Sequence, residues 1–587
     1  VDWSGEAGRK WPGRHSQVYT PFRAGLIRAE RLNDDRGRGL VSGNAVSSRK
    51  PICSAQPPLS LLQYSDSRSL CEVCAHCHRF CGNLGSALRR SLETAGAESP
   101  EELIDPELLK ELEVGEWELR QRVPCEHGCG AVFCSHECAE AGKLEGWHRT
   151  LCVDLSPEQR KVWKFFKLHA ARHHEQFVAA AQVMAEIICL VKYHGVELWE
   201  AMAYFTRFAK MSWLNMLNLP SRSYTQAPPR EGKLAVLAQV RREKRMQVMM
   251  ASLELLVACL WEKDFHELLT LDYYSNLVGQ FSLSNVWVQI EHPLSEKLRA
   301  KCEDPEFRQR YEPLLKASRA AANKVIAEAN GDKTKSKDKE DDDDEDDRLG
   351  KKVTFEEEPQ EEPAAEGSKE DDIWTLPRFE GSALYPCVAL SNHSCRPNFT
   401  MRYADGCFAD MMCLRDVAPG EELNLAYVSP STDLSERLAS LWRHWGFVCT
   451  CRKCQDEIME RAVKEADTSS GSTKGGYPSD LPSGVKLSPA GVAAALAARA
   501  KGAPEEELAS DEYDEESEEE EGSSEESESG SEDEQAFFEG GAGFARHHPF
   551  GGPLGPLSVP DSVKNLEADL KNIMDLMQEA EDESSSK

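Results

Sequence analysis

Apolar positions change their rhythm several times along this chain. From about Ser16 to Leu62 they come in short runs, Val18-Tyr19, Leu26-Ile27 and Gly39-Leu40-Val41, separated by Gly, Asn, Asp and Pro, the pattern of small strands and turns. A Glu/Leu-rich stretch at 86 to 122 predicts a short helical insert. Ser156-Pro157-Glu158-Gln159 opens a helix three times over, with Ser as N-cap, Pro at the first helical position and Gln closing a capping box. Helical periodicity then runs from Val162 to Val191, and residues 230 to 262 supply a second long helix. Strand-like residues return at Phe281 to Ile290 and, after a charged interruption, from Ile373 to Val448. Beyond Cys454 the apolar content collapses, apart from Val563, Leu566, Leu570, Ile573 and Met577, whose 3 and 4 spacing predicts a short amphipathic helix over 561–580.

Charge sharpens this division. The 587 residues carry a net charge of -32, and two stretches hold nearly all of it. Residues 340 to 372 contain 17 acids and 4 bases; residues 505 to 534 contain 18 acids and no base. Dense like charge with few apolar groups does not repay the entropy of ordering a chain, so 293–372 is expected to be a partly disordered insertion and 456–587 a disordered acidic tail. The remainder is close to neutral, which argues against direct nucleic-acid binding through a basic face. No run of 18 apolar residues predicts a membrane span, and the opening residues lack the basic and apolar regions of a signal peptide.

The twenty cysteines point to chemistry. Cys74-x2-Cys77, Cys125-x3-Cys129, Cys134-x3-Cys138 and His148-x3-Cys152 are four pairs at ligand spacing, enough for two tetrahedral zinc sites. Alternate pairs are expected to cross-brace. Cys134 with Cys138, and His148 with Cys152, share a helix face at i, i+4. Cys71-x2-Cys74 would serve equally well as the first pair. Cys449, Cys451 and Cys454 form a further set that needs a fourth ligand, and Cys395 is the natural distant donor. Such pairs in a long chain read as metal sites in a reducing compartment, nucleus or cytoplasm, rather than as disulfides.

The ligand order, with Phe133 before Cys134 and Trp147 beside His148, resembles the MYND zinc finger. It departs from that pattern in the adjacency of Trp and His and in the 47 residues between Cys77 and Cys125. Ser391-Asn392-His393-Ser394-Cys395-Arg396-Pro397-Asn398, Gly420-Glu421-Glu422-Leu423 leading to Tyr427, and Cys449-x-Cys451-x2-Cys454 resemble the SET domain of protein-lysine methyltransferases and its post-SET motif. Gly37-Arg38-Gly39-Leu40 fits the Gly-x-Gly that opens such a domain. A SET domain split by a MYND finger is the mark of the SET-and-MYND family, and the resemblance covers about residues 16 to 455. Asn276 to Phe281, Gly381 to Pro386 and Cys77 to Phe80 are similar to the branch holding protein five of that family and its plant trithorax-related counterpart.

The resemblance implies an α+β fold: a β-rich SET domain of small sheets with a pseudoknot, split by the finger and a helical insertion. It divides the chain into a disordered N-terminus (1–15), the N-terminal part of SET (16–65), the finger with its insertion (66–152), a helical insertion (153–268), the SET core (269–448), the post-SET motif (449–455) and the tail (456–587). It implies methyl transfer from S-adenosylmethionine to a lysine amine, with Tyr427 catalytic and with Gly37, Arg38, Gly39, Asn392, His393, Tyr427 and Phe447 around the cofactor. The family's asparagine contact falls on Ser284 or, one residue late, on Asn285. Three zinc ions are implied, held by Cys74, Cys77, Cys134 and Cys138, by Cys125, Cys129, His148 and Cys152, and by Cys395, Cys449, Cys451 and Cys454. Basic substrates such as histones or ribosomal proteins, proline-rich peptides on the finger and no membrane partner complete the expectation. The competing reading is a non-catalytic adaptor or histone-binding scaffold.

Overall fold

The computed structural model describes residues 15–33, 36–95, 106–209, 211–214, 233–335, 375–445 and 447–468. The acidic run of 336–372, the tail from 469 with its expected 561–580 helix, and residues 1–14 lie outside them. The chain divides into two compact units, Val1–Tyr224 with Val236–Glu457, and Thr225–Ala235 with Ile458–Lys587. Every candidate site residue belongs to the first.

Within that unit, short strands are paired across long stretches of sequence. β1 (Ile27–Asn33) and β2 (Gly37–Ser42) form an antiparallel hairpin with an irregularity between Arg31 and Asn33. β3 (Pro51–Gln56) joins β10 (Phe399–Asp405) and β11 (Phe408–Cys413) in the order β10-β11-β3, with Met411 opposite Cys53. β4 (Ser60–Gln63) lies beside β8 (Phe379–Leu384), which also pairs with β7 (Val286–Ile290). β9 (Asn392–His393) and β12 (Asn424–Leu425) pair in parallel, and β5 (Val123–Pro124) with β6 (Val132–Phe133) makes the finger hairpin. The fold is therefore α+β, with small sheets whose strands come from both ends of the unit.

Helices fill the space between. Helix Pro157–His173 begins with the capping box read from the sequence, Ser156 and Gln159 exchanging bonds. The single helix expected from Val162 to Val191 breaks at His174 and Glu175, and Gln176–His194 follows as a separate helix. That second helix has the length and apolar content to cross a membrane, but its residues from Gln176 to Leu190 are all buried in the fold, which is why it is apolar all round. The second long helix spans Lys233–Leu260. Phe281 to Ser284, expected as strand, instead complete helix Leu271–Ser284, and Leu434–Trp445 is helical within the stretch read as strand-like.

One expectation is overturned. Residues 293–335 are not disordered: Leu294–Lys301 and Pro305–Lys335 are helices. Leu294, Leu298, Tyr311, Leu314 and Leu315 are buried in one cluster with Leu84 and with Leu88, Leu92, Leu112 and Trp117 of the 86–122 insert. Averaging charge over the whole 293–372 window hides this helical stripe, which gives the insert its partner face.

Candidate active site and metal centres

The zinc ligands converge. Cys74, Cys77, Cys134 and Cys138 lie together, as do Cys125, Cys129, His148 and Cys152, with the ligand atoms of each set within 4.8 Å of one another. Alternate pairs share a centre, so the finger is cross-braced. Sulfurs of Cys77 and Cys134 are 3.4 Å apart and those of Cys125 and Cys152 3.6 Å, near the ~3.8 Å edge of a tetrahedron with Zn–S bonds of about 2.3 Å. Glycines at 128 and 130, both with left-handed φ, turn the chain between Cys125 and Ala131 so that the second pair folds back. His148 sits on the π-helical turn that leads to Cys152; its Nδ1 donates to the Gly142 carbonyl at 3.0 Å, which leaves Nε2 as the ligand atom facing Cys129. The thiol of Cys77 lowers the pKa of Cys74, and the thiol of Cys152 does the same for Cys129, so one sulfur in each centre is held toward the thiolate. Cys71 is excluded from the first pair: Ser67, Gln63 and the Arg378 carbonyl surround its sulfur.

The third centre joins Cys395 to Cys449, Cys451 and Cys454. Arg437, only 2% exposed, lies against it. One guanidinium nitrogen points at Cys454 Sγ, 3.8 Å away, and also pairs with Glu457, while the other donates to the Thr432 carbonyl. The sequence reading missed this residue because nothing near Arg437 in the chain marks it as a neighbour of the cysteines.

Beside this centre the SET strings cross. Asn398 donates to the Glu422 carbonyl and its own carbonyl oxygen accepts from the Asn424 amide, while Leu423 donates to Leu40. The 421–427 segment, which contains β12, thus runs between β2 and the 391–398 segment, the crossing expected of the pseudoknot. Gly37 takes a left-handed φ of 65°. A Cβ on Gly39 would stand 2.9 Å from Asn392 Nδ2, and Asn392 itself donates to the Arg38 carbonyl and to Glu422. Main chain and carboxamide therefore form a cradle that a larger residue would fill, which fits the cofactor's family position. Arg38 turns its guanidinium away, to the Arg207 carbonyl.

Tyr427 is the centre of an aromatic group. Its hydroxyl donates to the Ser391 carbonyl at 2.6 Å. Burial pushes its pKa well up, so it remains a protonated phenol. Ring centroids of Trp445, His393 and Phe447 lie 5.2, 5.3 and 6.4 Å from it. Trp445, also missed, fixes its indole N–H on the Leu283 carbonyl; the aromatic-Gly-aromatic string before Cys449 was the available signal. His393 is expected as a cofactor ligand, but its ring is buried and both nitrogens face protein atoms: Nδ1 accepts the Tyr427 amide at 2.9 Å and Nε2 is 3.2 Å from Cys395 Sγ. Ser284 spends its hydroxyl on the Ala209 carbonyl. Asn285 donates to Ser382, and its Oδ1 is buried without a protein partner, an acceptor left for a donor the chain does not supply.

Comparison with known proteins agrees with this geometry. A histone-lysine N-methyltransferase of Arabidopsis thaliana, ATXR2, is 22% identical over 486 residues, covering 72% of this chain and 89% of the relative. The chain is similar to proteins of the SET and MYND domain-containing family. Shorter matches within that family include the N-lysine methyltransferase SMYD2 of Homo sapiens, 35% identical over 14% of this chain and 19% of the relative. The histone-lysine N-methyltransferase SET5 of Meyerozyma guilliermondii is 32% identical over 17% of this chain and 23% of the relative. No family model matches the chain. The match to the plant relative runs along most of the sequence rather than in the finger or the Asn392-His393 string alone.

Proposed function

We infer that the protein is an S-adenosylmethionine-dependent protein-lysine N-methyltransferase. The observation that carries this reading is the convergence of Gly39, Asn392 and Tyr427 beside a complete four-cysteine centre. When bound, S-adenosylmethionine supplies an electrophilic methyl group, so the protein's task is chiefly alignment and exclusion of water. Asn392 and the Gly37 to Gly39 main chain would hold the cofactor, with the unpaired Asn285 Oδ1 as a further acceptor. Phe447 and Trp445 would wall the lysine channel. Because the Tyr427 proton is committed to Ser391, the phenol oxygen keeps its lone pairs for an N–H of the arriving amine. Tyr427 does not take the amine's proton, since burial holds the phenol protonated; the amine loses that proton to water before it is aligned. The adaptor reading is not favoured, because an adaptor needs neither the cradle nor the tyrosine.

Protein lysines are the substrate class. Histones and ribosomal proteins are the substrates we propose, supported by the two acidic stretches, which would attract basic chains. Proline-rich peptides on the finger, a nuclear or cytoplasmic site of action and the absence of nucleic-acid or membrane binding belong to the same proposal. Isotope-labelled S-adenosylmethionine incubated with core histones and, separately, ribosomal proteins tests it. Label on lysine that falls about 100-fold in Tyr427→Phe, the scale of losing one transition-state hydrogen-bonding group, supports the enzyme. No label from either pool, with no cofactor binding by calorimetry, would leave the adaptor as the better account.

A further inference from the structure

His393 has one ring proton to place, and its neighbours decide where it goes. Strands β9 and β12 set His393 opposite Leu425, so its ring reaches the backbone two residues on. A backbone amide can only donate; Nδ1, which accepts the Tyr427 N–H, therefore carries no proton. The proton sits on Nε2, 3.2 Å from the sulfur of Cys395, a ligand of the third centre. A thiolate accepts such a bond, so a single tautomer satisfies the metal ligand and the tyrosine backbone together. With the opposite tautomer, two N–H groups would collide at Nδ1 while Nε2 and sulfur, both acceptors, would face each other.

We propose that His393 is a positioning residue that couples the Cys395, Cys449, Cys451 and Cys454 centre to the placement of Tyr427, rather than a side chain that holds the cofactor. The proposal deepens the methyltransferase reading and rests on it only in making Tyr427 the group positioned. The imidazole is a rigid strut: what Cys395 does at one end is passed to the Tyr427 amide at the other. The ring is buried among Tyr427 and Phe447, with ring centroids at 5.3 and 6.0 Å.

Two substitutions in the full chain separate the ends of the strut. His393→Asn keeps an acceptor at the δ position for Tyr427 and loses reach to Cys395. His393→Gln keeps a donor at the ε position for Cys395 and loses the acceptor. In His393→Asn one zinc of three leaves early under chelator challenge, with affinity down about 10- to 100-fold as for other outer-sphere partners, while hydrogen exchange at the Tyr427 amide stays slow in excess zinc. In His393→Gln all three ions are retained, but that amide exchanges roughly fivefold faster or more for the loss of one hydrogen bond, and kcat falls with KM for S-adenosylmethionine unchanged. Equal behaviour of the two variants in zinc release and amide exchange would overturn the coupling, as would wild-type exchange in His393→Gln. A wild-type chain that methylates nothing sinks the methyltransferase reading alone, because zinc release and amide exchange still decide the role of His393.

Discussion

Replacing Arg437 by methionine is expected to loosen the third zinc site without touching a ligand. Four thiolates around one zinc carry two excess negative charges, and the buried guanidinium is the cation set against them. Its nitrogen lies 3.8 Å from Cys454 Sγ, a separation at which unit charges interact by about 4 kcal/mol at an effective dielectric constant near 20. Part of this is offset, because methionine avoids the cost of desolvating a guanidinium. Glu457, with 31% of its side chain exposed, can turn to water once its partner is gone. We expect about 2 kcal/mol to remain, roughly a 30-fold loss of zinc affinity. The assay is titration of the zinc-loaded chain with a chelator of known affinity, read with a colorimetric indicator. Both finger centres serve as internal references, so one ion of three should shift and two should not. Glu457→Gln, which leaves the arginine in place, should shift that ion far less. Superimposable curves for wild type and Arg437→Met would refute the argument, since the guanidinium charge would then contribute nothing to the thiolate cluster.

Other expectations follow from the same geometry. Gly39→Ala would put a methyl 2.4 Å from Leu32 Cδ1 and 2.9 Å from Asn392 Nδ2; Leu32 can rotate but Asn392 is tied, so calorimetry should show cofactor affinity falling about tenfold, the effect of roughly 1.4 kcal/mol, with zinc content unchanged. Gly279→Ala would set its Cβ 1.7 Å from the Met211 carbonyl oxygen, main chain that cannot yield cheaply; thermal melts should register a loss of about 3 kcal/mol or more, or failure to fold. Burial lowers the pKa of His292 from 6.5 to about 4. The unfolded chain therefore binds this proton first on acidification, so the associated stability is whole above pH 6.5 and lost as the pH falls towards 4. Between pH 7 and 4.5 wild type should lose roughly 2 to 3 kcal/mol relative to His292→Asn in denaturant titrations, and parallel pH profiles would count against the assignment.

Much of this architecture was legible because its signals are local. Cysteine pairs at ligand spacing fix which residues can share a metal, and Ser156 to Gln159 spell a helix start that the structure keeps. What stayed open or was missed has physical causes. Cys71 and Cys74 offer the same spacing, and only the packing of Ser67 and Gln63 on Cys71 decides between them. Residues 294–335 look like the start of the acidic run until Leu88, Leu112 and Trp117 provide the apolar surface that makes Leu298 and Leu314 worth ordering. Arg437 and Trp445 acquire meaning only when helix Leu434–Trp445 is laid against Cys454 and Tyr427. His393 was found from its string, but a motif names a residue and does not say which way its ring faces, here to the Tyr427 amide and the Cys395 sulfur.

The pairing of β3 with β11, and of β4 with β8, has a consequence for how the protein is born. A ribosome delivers residues 51–63 long before 379–413 exist, so these early strands must wait with unpaired edges. The finger does not wait: all eight of its ligands have emerged by Cys152. The third centre begins only at Cys395, roughly 240 residues later, an interval of about 12 to 50 seconds at ordinary elongation rates. Metal capture is thereby ordered in time, and a nascent chain holding two ions is already a folded finger attached to a catalytic half that has no tyrosine yet.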